Sequence, residues 1–361
     1  MNNYDYPKRI VKSKCGRLLM LLAFVIAIIA QTSCGKTEPG PVESEEFYLD
    51  TICKISIYKM KDTAGKEKPA SEMQAEAEAV IKDAFALCAE LDNTLSRTKS
   101  DSDIGKINTA DGKAVEVSDA TVDVISKGVG YCELADGRFD ITMGGVTELW
   151  DFHADNKDAK IPSDKKIGRV LEHVNYNYIG VDGNSIQLSD SETRLDLGGI
   201  AKGYIGDKMT EVLEGAGVTS AIINLGGNVI CIGCKSEDEG FAIGVEAPYS
   251  NRSEIVGTVE AINQTMVTSG IYERVIEVDG KQYHHILDPD TGYPVDTDLI
   301  SVTIIADKGR STDADALSTI CILLGYDRAR KLIDETEGIE AVFILDDESV
   351  IATYGVNFEK K

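Results

Sequence analysis

A short stretch near residue 290 gathers residue types that can do acid–base chemistry. Residues 283–294 read YHHILDPDTGYP and hold two of the four histidines of the chain. Adjacent side chains of a strand point to opposite sides, so only one of His284 and His285 can face a given cleft, and the pair cannot chelate a metal. A histidine with a pKa of about 6.5 can take a proton from an attacking hydroxyl group. The pattern equally fits one histidine in the core and the other on the surface.

A glycine-rich segment, RLDLGGIAKGYIGD (194–207), has the composition of an anion-binding helix start. A strand through Asp196 would lead into Gly198 and Gly199 and open a helix that contains Lys202. Unpaired backbone N–H groups at a helix start carry partial positive charge, and glycines let a phosphate group approach them. The spacing matches neither the Rossmann nor the P-loop pattern. The segment indicates a pyrophosphate site of another type, or only a tight turn followed by a solvated lysine.

A third stretch, STDADALSTICILLG (311–325), predicts a helix with a possible cation site. Asp315 and Thr319 are four residues apart, which places a carboxylate and a hydroxyl on one helix face within reach of a single ion. Oxygen ligands of this kind suit a hard cation such as Mg²⁺. The alternative is helix capping, because Thr312 and Asp315 have capping-box spacing and Thr319 could bond to a carbonyl one turn earlier.

The elements that must position these residues alternate irregularly between strand and helix periods, which predicts a mixed α+β fold rather than a doubly wound parallel sheet. Residues 47–58 have the pattern of a first strand, residues 71–96 of a long helix capped by Ser71, and residues 118–137 of a helix capped by Ser118. The remaining predictions are two short strands in 185–197, a strand pair around Gly226-Gly227-Asn228, a hairpin turning at Asp279-Gly280, a buried strand at 299–306, a helix capped by Ser311 and Thr312 and ending at Gly325, and a closing hairpin in 341–354.

Composition excludes some classes of function. The net charge of −24 predicts a surface that repels nucleic acid, so we expect no nucleic-acid partner. Only Cys231 and Cys234 form a CxxC pair, without a second pair or a nearby histidine, which disfavours a zinc site and favours buried thiols or one disulfide. With four histidines in all, any metal is expected to have oxygen ligands, as Mg²⁺ or Ca²⁺ does.

The first 34 residues have the pattern of an export signal. Five basic residues between Lys8 and Arg17 precede an apolar run from Leu18 to Ala30, which is shorter than the roughly 20 residues that span a bilayer. Thr32 and Ser33 lead into Cys34 as in a bacterial lipobox, although Gln31 departs from it; ordinary cleavage and a retained short anchor are the alternatives. Residues 35–46 are then a flexible tether and residues 47–361 the folded domain. We therefore expect an exported protein, lipid-anchored to a bacterial membrane and facing the periplasm or another extracytoplasmic space.

The chain resembles the ApbE family, the FAD:protein FMN transferases, nearly from end to end of its folded part. Six ordered blocks carry the resemblance: FDITMGGVTELW (139–150), DLGGIAKGY (196–204), INLGGN (223–228), TSGIYER (268–274), HHILDPDTGYP (284–294) and TDADALST (312–319). The resemblance implies a two-lobed fold of mixed or antiparallel sheets and packed helices, with FAD between the lobes. It also implies an enzyme that uses Mg²⁺ to break the pyrophosphate of FAD, joins FMN to a threonine hydroxyl of a membrane redox subunit and releases AMP.

The resemblance further implies roles for individual residues. His285 would be the catalytic base, with His284 structural. The metal would be held by Asp315, Thr319 and the carbonyl of Ala201, and Asp315 would also take part in catalysis. FAD would contact Leu49, Thr98, Ala135, Asp136, Gly137, Asp196, Lys202 and Ile286. Leu49-Asp50-Thr51 departs from the family's Met-Gly-Thr, and Thr98 stands where an aromatic residue often stacks on the flavin, so stacking is expected to be weaker or supplied elsewhere.

Two other functions use the same residues. A metal-dependent FAD pyrophosphatase would use water in place of threonine, and the sequence hardly separates it from a transferase. A flavin-binding surface lipoprotein without turnover would not need an ion at the pyrophosphate, so the Asp315 and Thr319 pair argues against it.

Overall fold

A computed structural model of the chain describes residues 40–152, 159–236, 239–250 and 254–361. The helices are α1 (Ala70–Thr94), α2 (Asp103–Asn108), α3 (Asp119–Leu134), α4 (Gly144–Trp150), α5 (Asp164–Leu171), α6 (Ala201–Gly215), α7 (Ser311–Leu324) and α8 (Tyr326–Glu335), with a 3₁₀ turn at Tyr176–Tyr178. The strands are β1 (Val42–Tyr48), β2 (Thr51–Met60), β3 (Val115–Glu116), β4 (Ile179–Asp182), β5 (Ser185–Leu188), β6 (Val218–Leu225), β7 (Asn228–Ile232), β8 (Phe241–Glu246), β9 (Ile255–Ala261), β10 (Gln264–Gly270), β11 (Val275–Val278), β12 (Lys281–His284), β13 (Leu299–Asp307), β14 (Ile339–Leu345), β15 (Val350–Ala352) and β16 (Phe358–Lys360). The leader predicted for residues 1–34, including Cys34, and residues 35–39 of the predicted tether lie outside the described residues.

The central element is an eight-stranded sheet in the order β1-β2-β6-β7-β10-β13-β14-β15. Its strand pairs are all antiparallel. Together with the packed helices this confirms the predicted α+β class. The described residues contain no helix with both the length and the apolar character needed to cross a bilayer.

Two apolar layers explain why β13 is mainly hydrophobic, with only Ser301 and Thr303 interrupting the apolar run from Leu299 to Ala306. On β13, Val302 and Ile304 join a large buried cluster with α1, α6 and α7, whereas Ile305 joins a second cluster with the sheet β16-β9-β8. A strand covered on both faces has no polar side, so the usual alternation of polar and apolar residues disappears. The predicted buried strand at 299–306 is therefore confirmed.

The prediction of a single N-terminal strand was wrong, because this region forms two strands. The sequence indicated one strand over residues 47–58, but the structure has an antiparallel hairpin of β1 and β2 that turns at Leu49 and Asp50. Both turn residues have positive φ, 55° and 58°, a conformation usually marked by Asn or Gly. Because that signal is missing here, the turn was not recognised, and β1 begins at Val42, inside the predicted tether.

Only the first of the two strands predicted in residues 185–197 forms. β5 pairs with β3 and β4 in a small sheet, whereas the second segment forms only an isolated parallel bridge of Arg194 with Met143, and Leu195 is held by a side chain. The Leu195 N–H donates to Asn108 Oδ1 at 2.7 Å, and Asn108 Nδ2 donates back to the Leu195 carbonyl at 3.0 Å. These buried bonds fix the chain at the start of the glycine-rich segment.

Other local predictions are confirmed with small shifts. Ser118 caps α3, because its Oγ accepts the Thr121 N–H at 3.3 Å, and β11 and β12 form the hairpin that turns at Asp279 and Gly280. The prediction that Ser71 caps α1 was wrong, because the helix begins at Ala70 and its N-cap residue is Pro69. A proline just before a helix fits because its missing N–H would have no helical partner there.

Candidate active site

Helices α6 and α7 cross in close contact, and this contact places Asp315 beside the glycine-rich segment. The side chain of Asp315 is only 3% exposed. Its Oδ2 accepts the Gly203 N–H at 2.9 Å, and its Oδ1 lies 3.6 Å from Lys202 Nζ. A Cβ atom at position 203 would overlap the Ser311 carbonyl, so glycine is what allows the helices to approach. The result is a buried carboxylate held by one backbone donor and facing one ammonium group.

The start of α7 shows that Asp315 is not part of a capping box. The carboxylate of Asp207 on α6 accepts the N–H groups of Ser311 and Thr312, both at 2.9 Å, and the Thr312 hydroxyl at 2.7 Å. The predicted caps Ser311 and Thr312 are therefore themselves capped, from a residue that is 104 positions earlier in the chain. This removes the capping explanation for the spacing of Thr312 and Asp315.

One turn after Asp315, a group of hydroxyls surrounds Thr319. Ser269 Oγ at the end of β10 lies 2.7 Å from Ser318 Oγ and 3.4 Å from Thr319 Oγ1. Thr319 Oγ1 also donates to the Asp315 carbonyl one turn earlier, at 3.5 Å, so the back-bond that was the alternative to a cation site is present as a long hydrogen bond. We call Gly198 and Gly199 the glycine turn. A Cβ on Gly199 would lie 3.5 Å from the Thr319 hydroxyl, so the glycine turn is next to that hydroxyl.

These oxygen atoms fit a hard cation better than a transition metal. Within the described ranges, no three His, Cys, Asp or Glu side chains are grouped so that they could hold a metal. A cation at Asp315 would therefore need neutral oxygen donors, for which Thr319 lies one turn away and Ala201 begins α6. One carboxylate with hydroxyl and carbonyl oxygens is a donor set suited to Mg²⁺, which keeps several water ligands. The three residues predicted for the metal remain a prediction that this chemistry supports.

The glycine turn is shaped by Asp196. Its Oδ1 accepts the Gly198 N–H at 2.9 Å, and its Oδ2 lies 3.1 Å from Nε of Arg97. The predicted FAD contact Thr98 is exposed and follows Arg97, so this pair brings the loop after α1 to the turn. On the other side a Cβ on Gly199 would come within 2.9 Å of the Phe139 ring.

The two histidines lie at and just beyond the end of β12. His284 Nε2 is 3.2 Å from the Val295 carbonyl, and burial lowers its pKa to about 4. His285 donates its backbone N–H to the Arg274 carbonyl at 3.1 Å. Burial lowers the pKa of His285 to about 3, with further contributions from the positive charges of Arg274 and Lys202. Nδ1 of each ring is buried without a hydrogen-bond partner among the described residues. Because both pKa values are lowered this far, both imidazoles are neutral at neutral pH.

These lowered pKa values predict a loss of stability in mild acid. In the unfolded chain each histidine binds a proton below its ordinary pKa of about 6.5, whereas in the native state it does not until about pH 4. The free energy of unfolding therefore has its full value above pH 6.5 and falls as the pH drops below it. At pH 5 the loss is about 2 kcal/mol for each histidine. Urea unfolding at pH 7.5 and pH 5.0 measures it, and His284→Gln should remove about half of the difference. Equal pH differences for parent and variant would contradict the assignment.

The remaining predicted flavin contacts lie on two turns and just after β12. Asp136 and Gly137 have positive φ, 51° and 74°, after the buried Ala135 that follows the last residue of α3. At the other turn, Asp50 lies 3.8 Å from Nη2 of Arg274, so the tip of the β1-β2 hairpin, with Leu49, reaches the strand end beside His285. Ile286 is buried and accepts the Val295 N–H at 3.0 Å.

The contacts connect most of the predicted residues into one neighbourhood. Asp196, Lys202, Asp315 and Thr319 are joined through the glycine turn and the helix crossing, and the charge of Lys202 acts on His285. Sequence reasoning missed the arginines that complete it: Arg97, Arg138 and Arg274. Arg274 ends the block TSGIYER and Arg97 precedes Thr98, so nearness to family positions was the only signal that could have found them.

The chain is similar to flavin transferases in sequence and structure. A model of the ApbE family matches residues 49–343. The chain is 31% identical over 365 aligned positions to an FAD:protein FMN transferase of Treponema pallidum, covering 96% of each protein. It is 32% identical over 275 positions to one of Klebsiella pneumoniae, covering 76% of this chain and 84% of the relative. The crystal structure of the ApbE protein of Thermotoga maritima superposes with a TM-score of 0.76 at 30% identity, covering 86% of this chain and 96% of the other.

Proposed function

The chain belongs to the ApbE family, and on that premise we propose that it transfers the FMN half of FAD to a hydroxyl group of a target protein and releases AMP. The observation that carries the proposal is the contact of Asp315 with Gly203 and Lys202, at 2.9 and 3.6 Å. It joins the segment suited to a diphosphate with the helix that bears the carboxylate and hydroxyl, although Gly203 and Asp315 are 112 residues apart.

The diphosphate of FAD would lie where positive charge is available. The ammonium group of Lys202 would balance part of its negative charge, and Gly198 and Gly199 leave room for the phosphates. The start of α6 adds the partial positive charge of a helix N-terminus, although the N–H groups of Ala201 and Gly203 already have hydrogen-bond partners. Phosphoryl transfer depends mainly on such charge balance and on positioning, so these residues supply what the reaction needs.

The proposed reaction exchanges one bond to phosphorus for another. The oxygen of the acceptor hydroxyl bonds to the phosphorus of the FMN half, and the bond from that phosphorus to the bridging oxygen breaks, so AMP leaves with the bridging oxygen. The hydroxyl proton must go to a base, and we assign that role to His285, whose imidazole is neutral because burial and nearby positive charges lower its pKa. His284, hydrogen-bonded to the Val295 carbonyl, is assigned a structural role.

We also propose that Mg²⁺ takes part, held by Asp315, Thr319 and the Ala201 carbonyl. When bound, the ion would neutralise charge on the diphosphate and make AMP a better leaving group. The oxygen-only donor set and the burial of Asp315 support this assignment. Lys202 would then balance the remaining phosphate charge.

The acceptor is proposed to be a threonine of a membrane redox subunit. The test is to incubate the purified full chain with FAD, Mg²⁺ and a threonine-bearing fragment of such a subunit, and to examine the denatured products. Flavin fluorescence that stays on the fragment indicates transfer. Free FMN with AMP would replace the transferase by a pyrophosphatase, and unchanged FAD would leave only a flavin-binding protein.

We propose that the protein acts outside the cytoplasm, anchored by lipid on Cys34. The support is the basic and apolar leader that ends in Thr32-Ser33-Cys34, followed by a polar segment. Lipidation supplies membrane affinity without a spanning helix. Cys34→Ala is expected to abolish labelling of the expressed protein by a radioactive fatty acid and to move it out of the membrane fraction. Unchanged labelling of the variant would refute the anchor.

A further inference from the structure

Arg138 connects two turns that are far apart in the sequence. Its Nη1 lies 3.6 Å from Asp288 Oδ1 and forms a short hydrogen bond with the carboxylate of Asp290, 152 residues away. The side chains of Arg138 and Asp288 are 28% and 15% exposed, whereas that of Asp290 is 72% exposed. The contact is therefore partly withdrawn from solvent on the side of Asp288. We call these three residues the Arg138 clasp.

Each end of the clasp is a stiff turn. On one side, the N–H groups of Asp136, Gly137 and Arg138 donate to the carbonyls of Glu133, Cys132 and Ala135 at 2.9–3.0 Å, which fixes the turn before Arg138. On the other side, Asp288 Oδ1 accepts the Asp290 N–H at 2.8 Å, and the Asp288 carbonyl accepts the Gly292 N–H at 2.7 Å. Because both turns are held by their own hydrogen bonds, the arginine that joins them restrains their separation.

Both turns carry parts of the proposed site. Ala135, Asp136 and Gly137 are the proposed flavin contacts, and Phe139, which follows Arg138, touches Gly199 of the glycine turn. His285 and Ile286 precede the turn that begins at Asp288, and only Leu287 lies between them and it. The same turn is also tied to the indole of Trp150, whose Nε1 donates to the Gly292 carbonyl at 2.8 Å.

We propose that Arg138 is a positioning residue that holds the flavin-contact turn and the His285 segment at the separation needed for transfer. The inference rests on the proposed function, since it takes FAD as the ligand of the turn at 135–137. Arg138 also keeps its Nε–H buried and without a partner in the described part of the chain, an unfavourable arrangement that a guanidinium fixed only for stability would not need. Replacement of Arg138 is therefore expected to weaken FAD binding and to slow turnover, in addition to any change in stability.

The alternative is that the Arg138 ion pairs contribute little to stability or activity, as is usual for exposed ion pairs. Arg169 and Glu192 provide an example of such a pair, 3.4 Å apart with side chains 74% and 53% exposed, and neither has an ion pair with a proposed site residue in the described part of the chain. Arg169→Met is therefore the control for Arg138→Met, because both changes remove one guanidinium and keep most of the apolar stem.

The experiment measures the Kd of FAD by fluorescence, kcat for transfer at 15 °C and the urea midpoint. Arg138→Met should raise the Kd of FAD and lower kcat by at least fivefold each, Arg138→Lys should restore part of both, and Arg169→Met should change neither by more than twofold. Asp290→Asn should have a smaller effect that disappears in the Arg138→Met background.

Three results would decide against the clasp or its premise. A lower urea midpoint with unchanged Kd and kcat in Arg138→Met would leave only a structural role and overturn the inference. Equal effects of Asp290→Asn in both backgrounds would show that Arg138 does not act through that carboxylate. Failure of the unchanged protein to bind FAD would instead refute the proposed function.

Discussion

Asp315→Asn should reduce FMN transfer by about 10²–10³-fold while leaving the fold intact. An asparagine oxygen can still accept the Gly203 N–H, so the α6-α7 crossing is expected to persist. The other arm becomes an uncharged amide that faces the ammonium group of Lys202, and both are donors. The site then loses the one buried carboxylate that can anchor a cation, and loss of a single electrostatic group in an active site typically costs a factor of this size.

Asp313→Asn is the matched control for this change. Asp313 lies on the same helix, but its carboxylate pairs with Nε of Arg310 at 2.9 Å and not with the site. Transfer by this variant should stay within about threefold of the parent, as expected for a partly exposed ion pair. Titration with Mg²⁺ by calorimetry, together with circular dichroism, separates loss of the cation from loss of the fold. A folded Asp315→Asn variant with transfer near the parent rate would remove Asp315 from the proposed machinery.

The residues that sequence patterns predicted share one property: their evidence is local. Asp315 and Thr319 are recognisable because four residues make one helical turn, and Ser118 because a cap precedes its helix directly. The turn at Leu49 and Asp50 was missed although it is local, since neither residue type marks a left-handed conformation. Local patterns thus predict an element only when the residues are those that its geometry favours.

The partners that complete the site could not be predicted from spacing, because they are set by the packing of distant elements. Asp207 caps α7 from α6, and Arg97 meets Asp196 from the loop after α1. The periodicity of a single chain segment cannot predict a contact between side chains of two distant segments. The family resemblance supplied the order of the blocks, and the structure adds which charges face one another inside them.

Replacement of His285 by glutamine should lower kcat for transfer by about 10²–10⁴-fold, the usual contribution of a positioned base, while the Kd of FAD changes little. His284→Gln is the control, because it removes the neighbouring imidazole, which bonds to the Val295 carbonyl. That variant should lose stability but retain transfer within a few-fold. Full transfer by His285→Gln would require another base, and Asp315 would be the next candidate.

The pH dependence of the unchanged protein tests the same role in a second way. Burial and the charges of Arg274 and Lys202 lower the pKa of His285 to about 3, so kcat/KM, which reports the free enzyme, should show no fall from this histidine between pH 8 and pH 5. An imidazole whose conjugate acid has so low a pKa is a weak proton acceptor. A bound diphosphate would place negative charge beside the same cations and raise the pKa of His285, so kcat should fall with acid at a higher pH than kcat/KM does. Coincident profiles for the two constants would contradict the idea that the substrate itself makes His285 an effective base.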